Sequence, residues 1–156
     1  MYKRQMKALA RNAQLLFGIQ LSNAQLAQLK RYEEELLDWN TRMSLTAIRE
    51  PEQIRVKHFL DSLSCACVLQ EKPFERVIDV GTGAGFPGLP LKILYPHMRL
   101  TLVESVGKKV RFCRHIVKVL GLQWVEVVQD RAEILGQDRN HRQQYDWAIA
   151  RAVAIL

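Results

Sequence analysis

Cysteine is scarce in this chain of 156 residues, with three in all. Cys65, Cys67 and Cys113 form no C-x-x-C pair, so the pattern argues against a disulfide framework or a zinc site and leaves structural thiols. Of the four histidines, His58, His97, His115 and His141, no two stand three or four apart on one helix face, and no metal is expected. No window of about 18 residues is free enough of charge to span a bilayer. The basic N-terminus MYKRQMKALARNAQLLF spreads its apolar residues at helical spacing and lacks the apolar block and cleavage site of a signal peptide. These absences predict a cytoplasmic protein without membrane or metal. Acidic residues are also outnumbered, 16 against 23 Lys and Arg, for a net charge of +7, which favours polyanionic partners such as nucleic acid.

What is present reads in two parts. Residues 1–72 are helical. Met6, Leu9, Ala13 and Leu16 recur at helical spacing up to Gly18, and Ser22 with Gln25 resembles a capping box opening a second helix with Leu26, Leu29, Tyr32, Leu36 and Leu37 on its apolar stripe. Pro51 opens a further helical segment through QIRVKHFLDSLSCACVL. Residues 73–156 change grammar. RVIDVG, RLTLVE, WVEVVQ and YDWAIA are short β-rich runs, the first three separated by the helical stretches GLPLKILYP and GKKVRFCRHIVKVLGL. Alternating strands and helices imply right-handed crossovers, a parallel sheet and ligands at the carboxyl ends of the strands. The chain stops at ARAVAIL, and four strands are fewer than a doubly wound sheet normally carries. The expectation is a missing C-terminal part, with self-association through the uncovered edge beyond the fourth strand.

The glycine-rich VIDVGTGAGFPGLPLKI follows the first strand. Gly83, Gly85 and Gly88 satisfy G-x-G-x-x-G, the pattern of an NAD-binding oxidoreductase, but Pro87 and Pro90 remove two backbone donors from the turn that would hold a pyrophosphate. S-adenosylmethionine carries no phosphate and fits the acids better. Asp79 lies two residues before Gly81, Glu104 ends RLTLVE at 23 positions after Gly81, and QDRAE supplies a polar turn after the third strand. Each acid also has a plain role, Asp79 and Glu104 as helix or turn caps, Asp130 and Glu133 as the first turn of a short helix. Their agreement at the ends of consecutive strands favours the cofactor reading. Glu104 is then an exposed strand-end acid whose loss weakens ligand binding with little change in melting temperature.

VIDVGTGAGFPGLPLKI, LVESVGKKVRFCRH, DRAE and ARAVA together resemble the 16S ribosomal RNA guanine-N7 methyltransferases, the glucose-inhibited division protein B or RsmG family, and SLTAIREPEQIRVKHFLDSL is similar to that family's helical lead-in. The resemblance covers most of residues 35–156. It implies an α/β, Rossmann-like class I S-adenosylmethionine-dependent methyltransferase fold with an N-terminal helical extension, acting on 16S ribosomal RNA or the small ribosomal subunit. Carried over by position, Gly81 and Phe86 match cofactor contacts with Asp79 and Gly83 beside them, Glu104 matches the acid after the second strand, Ala132 and Glu133 the adenine side, and Arg151 a cofactor-proximal arginine. Cys113 stands where the family usually has Leu. Guanine N7 bears a lone pair and no proton, so no catalytic base is assigned. Lys108, Arg111, His115 and Lys118 recur along the helix after Glu104, and Lys3, Arg4, Lys7 and Arg11 along the first; of these Lys108, Arg111 and Lys118 are the candidate RNA contacts. A non-catalytic RNA-binding module is the remaining alternative.

Overall fold

The computed structural model describes residues 2–151, of which Tyr2 and Lys3 by backbone alone. The side chain of Lys3, and Ala152–Leu156 with the expectation of an uncovered edge there, lie outside the described residues.

Helix α1 (Tyr2–Phe17) buries Met6, Leu9 and Ala13. Leu16, expected on the same stripe, is exposed with Leu15, while Phe17 and Ile19 continue the contact with the core. The capping box forms at the start of α2 (Asn23–Asn40), where Ser22 Oγ accepts from Gln25 N and Gln25 Oε1 accepts from Ser22 N. The same glutamine amide donates to the Ile93 and Leu94 carbonyls, at 3.2 and 3.3 Å. One side chain thus serves two helix ends.

Pro51 opens α3 (Pro51–Gln53), which passes without interruption into a π-helical stretch, Ile54–Leu60, and then α4 (Asp61–Leu63), with α5 (Ala66–Leu69) close behind. The wider winding turns Ile54, Arg55, His58, Phe59 and Leu60 all inward. Arg55 would be costly there unpaired. Glu33 on α2, fully buried, accepts its guanidinium.

Strands β1 (Arg76–Val80), β2 (Arg99–Glu104), β3 (Val125–Gln129) and β4 (Trp147–Ile149) form a parallel sheet in the order β3-β2-β1-β4. Helices α6 (Gly88–Leu94) and α7 (Gly107–Val119) connect β1 to β2 and β2 to β3, and α8 (Ala132–Leu135) follows β3. This is the expected Rossmann-like α/β arrangement. Successive strand residues face opposite ways, and the two faces differ. Val77, Leu100 and Leu102 join one continuous core with α1, α2, the π-helical stretch, α6 and α7. Ile78 and Val103 point the other way and meet Leu135 of α8. Asp79 and Glu104 stand two residues after Val77 and Leu102, so both acids lie on the same, helix-covered face.

Candidate cofactor site

Every strand in a parallel sheet ends at the same rim, and the loops after β1, β2 and β3 converge there. They enclose a cavity of about 390 Å³ lined by Val80 and Gly81, by Val103 to Ser105, and by Asp130 to Glu133. Gly81, Glu104, Ala132 and Glu133, singled out from the sequence, share this wall. The loops are tied at their roots: Gly81 N and Thr82 N both donate to the Val103 carbonyl, and Asp130 N to that of Glu104.

The glycine turn explains its own composition. Gly81, Gly83 and Gly85 have φ of 68, 61 and 104°, the left-handed region that side chains with a Cβ avoid. A Cβ on Gly83 would meet no atom within 4 Å, while one on Gly85 would collide with Tyr32 Oη and Leu89. Gly83 therefore leaves backbone open at the rim, and Gly85 permits packing beneath it.

Glu104 departs from the expected exposed acid. It is 7% exposed, with Oε1 accepting from Gly83 N at 2.9 Å and Oε2 from Val106 N at 2.8 Å. The carboxylate braces the glycine turn against the start of α7, a capping role filled from the wall of the cavity. Each oxygen keeps a further lone pair.

Asp79 lies below the cleft rather than on it. Fully buried, it caps α6: Oδ2 accepts from Gly88 N at 2.8 Å and from Thr82 Oγ1 at 2.6 Å. Oδ1 has no partner. Burial pushes its pKa up from 3.8 to about 7, against the lowering effect of those hydrogen bonds. The plain capping role holds, and a direct contact from this side chain to a ligand's ammonium does not fit the burial.

Phe86 is also inside, 3% exposed, stacked with His58 at 4.2 Å between centroids and with Tyr32 at 5.2 Å. Arg151 crosses its ring at 5.2 Å and bonds to the π-helical stretch and α4 instead of lining the cavity: Nη1 donates to the Lys57 carbonyl and Asp61 Oδ2, and Nη2 to His58 Nδ1. The structure thus sorts the predicted residues into a cleft group and a buried group around Phe86.

On α7, Arg111 and Lys118 are exposed and Lys108 partly so. His115, also on the basic repeat, is taken by Glu35 of α2 at 2.6 Å. Cys113 was not among the expected site residues; buried, it donates its thiol to the Gly83 carbonyl at 3.3 Å, a bond that the usual leucine cannot make. Tyr32 likewise donates to the Ala84 carbonyl. The two-residue spacing of Val77 and Asp79, and of Leu102 and Glu104, carries the signal that each acid shares a face with a core residue.

Residues 25–156 match the family model described as rRNA small subunit methyltransferase G. The chain belongs to this family. It is 54% identical over 140 residues to the ribosomal RNA small subunit methyltransferase G of Roseiflexus castenholzii, covering 90% of this chain and 59% of the relative. With that of Alkaliphilus metalliredigens it shares 51% over 139 residues, covering 89% and 58%. The chain thus spans about three fifths of the length of these relatives of the methyltransferase G family. Among solved structures it is similar to a candidate O-methyltransferase from Klebsiella pneumoniae, with a TM-score of 0.60 at 15% identity, covering 95% of this chain and 61% of that one. A variant of MtNAS in complex with S-adenosylmethionine gives 0.54 at 18%, covering 97% and 52%. These likenesses establish the class I methyltransferase fold, and the family match sets aside the NAD-dependent oxidoreductase.

Proposed function

We propose that this chain binds S-adenosylmethionine in the cavity above β1, β2 and β3 and serves methyl transfer to N7 of a guanine in 16S ribosomal RNA. The observation that carries the reading is the convergence of Gly81, Glu104, Ala132 and Glu133 on one cavity. Residues 73–156 supply the cofactor cleft, and residues 1–72 form the helical extension packed beside it.

The cleft suits a cation better than a polyphosphate. Glu104, Asp130 and Glu133 line it with one cation, Arg131, and the excess of carboxylates disfavours the pyrophosphate of a dinucleotide. The spare lone pairs of Glu104 accept from ribose hydroxyls, the Ala132–Glu133 turn borders the adenine, and Gly83 lets a ligand approach the main chain. Bound S-adenosylmethionine supplies an electrophilic methyl group. N7 attacks with its own lone pair, so the protein's part is to align the two and keep water out. Lys108, Arg111 and Lys118 offer phosphate contacts that weaken with salt.

Calorimetry with S-adenosylmethionine, S-adenosylhomocysteine and NAD tests the cofactor reading, with binding expected for the first two. NAD binding alone would overturn it. Incorporation of tritiated methyl groups into small-subunit particles, mapped to a guanine, tests the substrate; binding of particles without methylation would favour the RNA-binding module.

A further inference from the structure

We infer that His58 is a positioning residue for Arg151, fixing its guanidinium beside the glycine turn through a hydrogen-bond relay that starts in the helical extension. The inference rests on the proposed binding of S-adenosylmethionine and takes Arg151, which stands over Phe86 and outside the cavity wall, to reach the ligand with its remaining N–H groups. A guanidinium only donates, so the 2.7 Å contact from Arg151 Nη2 to His58 Nδ1 requires Nδ1 to be bare. The ring proton then sits on Nε2, which donates to Thr46 Oγ1 at 3.0 Å. Thr46 is fixed in turn, because Asn40 Oδ1 accepts from Leu45 N and Thr46 N. The imidazole also lies flat on Phe86, with 2° between the planes.

The remaining anchors of Arg151 do not replace this tie. Asp61 is half exposed, its side chain at 53%, and an ion pair to such a group is weak and mobile. His58 is 7% exposed and held on both ring nitrogens and one ring face. Three of the five guanidinium N–H groups are taken by Lys57, Asp61 and His58, leaving two for a ligand among the described residues. A buried histidine present only to fill space would tolerate phenylalanine; one that orients Arg151 would not.

The test is binding of S-adenosylhomocysteine to the chain as it stands, by calorimetry well below the melting temperature of each variant. His58→Phe keeps the stack and loses both hydrogen bonds, and Arg151→Gln removes the charge; each is expected to weaken binding roughly ten- to hundredfold, the range for a hydrogen bond to a charged group. His58→Asn, which keeps an acceptor near Nδ1, should recover part of the loss. The double variant His58→Phe with Arg151→Gln should bind no more weakly than Arg151→Gln alone. Nitrogen-15 spectra of the imidazole provide a readout independent of the ligand, expected to show the Nε2–H tautomer in the unaltered chain and its loss of preference in Arg151→Gln. Multiplying effects in the double variant, or an Nδ1–H tautomer, would overturn the role. Absence of any binding by the unaltered chain would sink the cofactor reading and this role with it, whereas binding with independent effects would sink this role alone.

Discussion

On the helix-covered face of the sheet, Val77, Leu100 and Leu102 are almost wholly shielded and continue into a core that reaches Met6 at one end of the chain and Ile116 on α7. On the opposite face, Ile78 and Val103 share their cover with Leu135 of a four-residue helix, while Val80, Val128 and Tyr145 stay partly open. The same alternation that buries Val77 and Leu102 carries Asp79 and Glu104 inward. The covered face therefore holds both the apolar core and the charged groups whose burial must be offset by backbone donors. The open face carries only the smaller apolar cluster, so most of the stability depends on the covered side, while the cavity draws on both, with Val80, Val103 and the Ala132–Glu133 turn beside Gly81 and Glu104.

The largest effect expected from this asymmetry is at Gly85. Its φ of 104° and the collision of any Cβ with Tyr32 and Leu89 predict that Gly85→Ala loses more than about 4 kcal/mol, read as loss of a cooperative thermal transition. A normal melt would mean that the covered face has slack. Next, Leu102→Ala should cost up to about 5 kcal/mol and Leu135→Ala about 2 kcal/mol, the ends of the range for buried leucines. Chemical denaturation of both tests the contrast; equal losses would erase it.

The covered face also predicts an unusual dependence on pH. Burial raises the Asp79 pKa from 3.8 to about 7, so its neutral form favours the fold below about pH 4 and that contribution is lost as pH climbs to about 7. A shift of this size corresponds to about 4 kcal/mol. His58, lowered from 6.5 to about 4 by burial and then by Arg151, runs the opposite way: its contribution is complete above about 6.5 and lost as pH falls. The two slopes oppose each other from about pH 4 to 6.5. Asp79→Asn should remove one of them, so that its stability relative to the unaltered chain improves steadily between pH 4 and 7. A constant difference in urea midpoints across that range would contradict the raised pKa.

An effect as small as that of Leu135→Ala is expected at Glu104. Because the carboxylate braces Gly83 and Val106, Glu104→Ala should lower stability by about 2 kcal/mol, the scale of hydrogen bonds to a charged group, and weaken S-adenosylmethionine binding besides. An unchanged melting curve would return Glu104 to the role of an exposed strand-end acid.

Much of this architecture was legible in the sequence because local signals agreed with the tertiary result. The Ser22–Gln25 box, Pro51 and the alternating strands and helices each act over a few residues, and the alternation implies a parallel sheet with right-handed crossovers, whereas the return of β4 to the far side of β1 has no local signal. The acids at the strand ends were located correctly, but not their depth, since burial depends on which face the helices cover. The π-helical winding of Ile54–Leu60 has no clear sequence mark, because the added residue in each hydrogen-bonded turn leaves the apolar pattern close to helical. The relay from Asn40 through Thr46 and His58 to Arg151 escaped for another reason: its members come from four separate stretches of chain, and a lone histidine carries no periodicity. Leu16 shows the converse: after Met6, Leu9 and Ala13 either residue 16 or 17 fits the helical spacing, and Phe17 is the one packed against the core.

Gln25 closes the first turn of α2 with its carbonyl oxygen and the last turn of α6 with its amide nitrogen. Those two turns are far apart in the chain, yet opening either releases part of the same side chain from the other. Their amide protons should therefore exchange as a single unit, with a shared opening free energy, so that the fraying expected of a helix end becomes a joint event linking the N-terminal helices to the connection between β1 and β2.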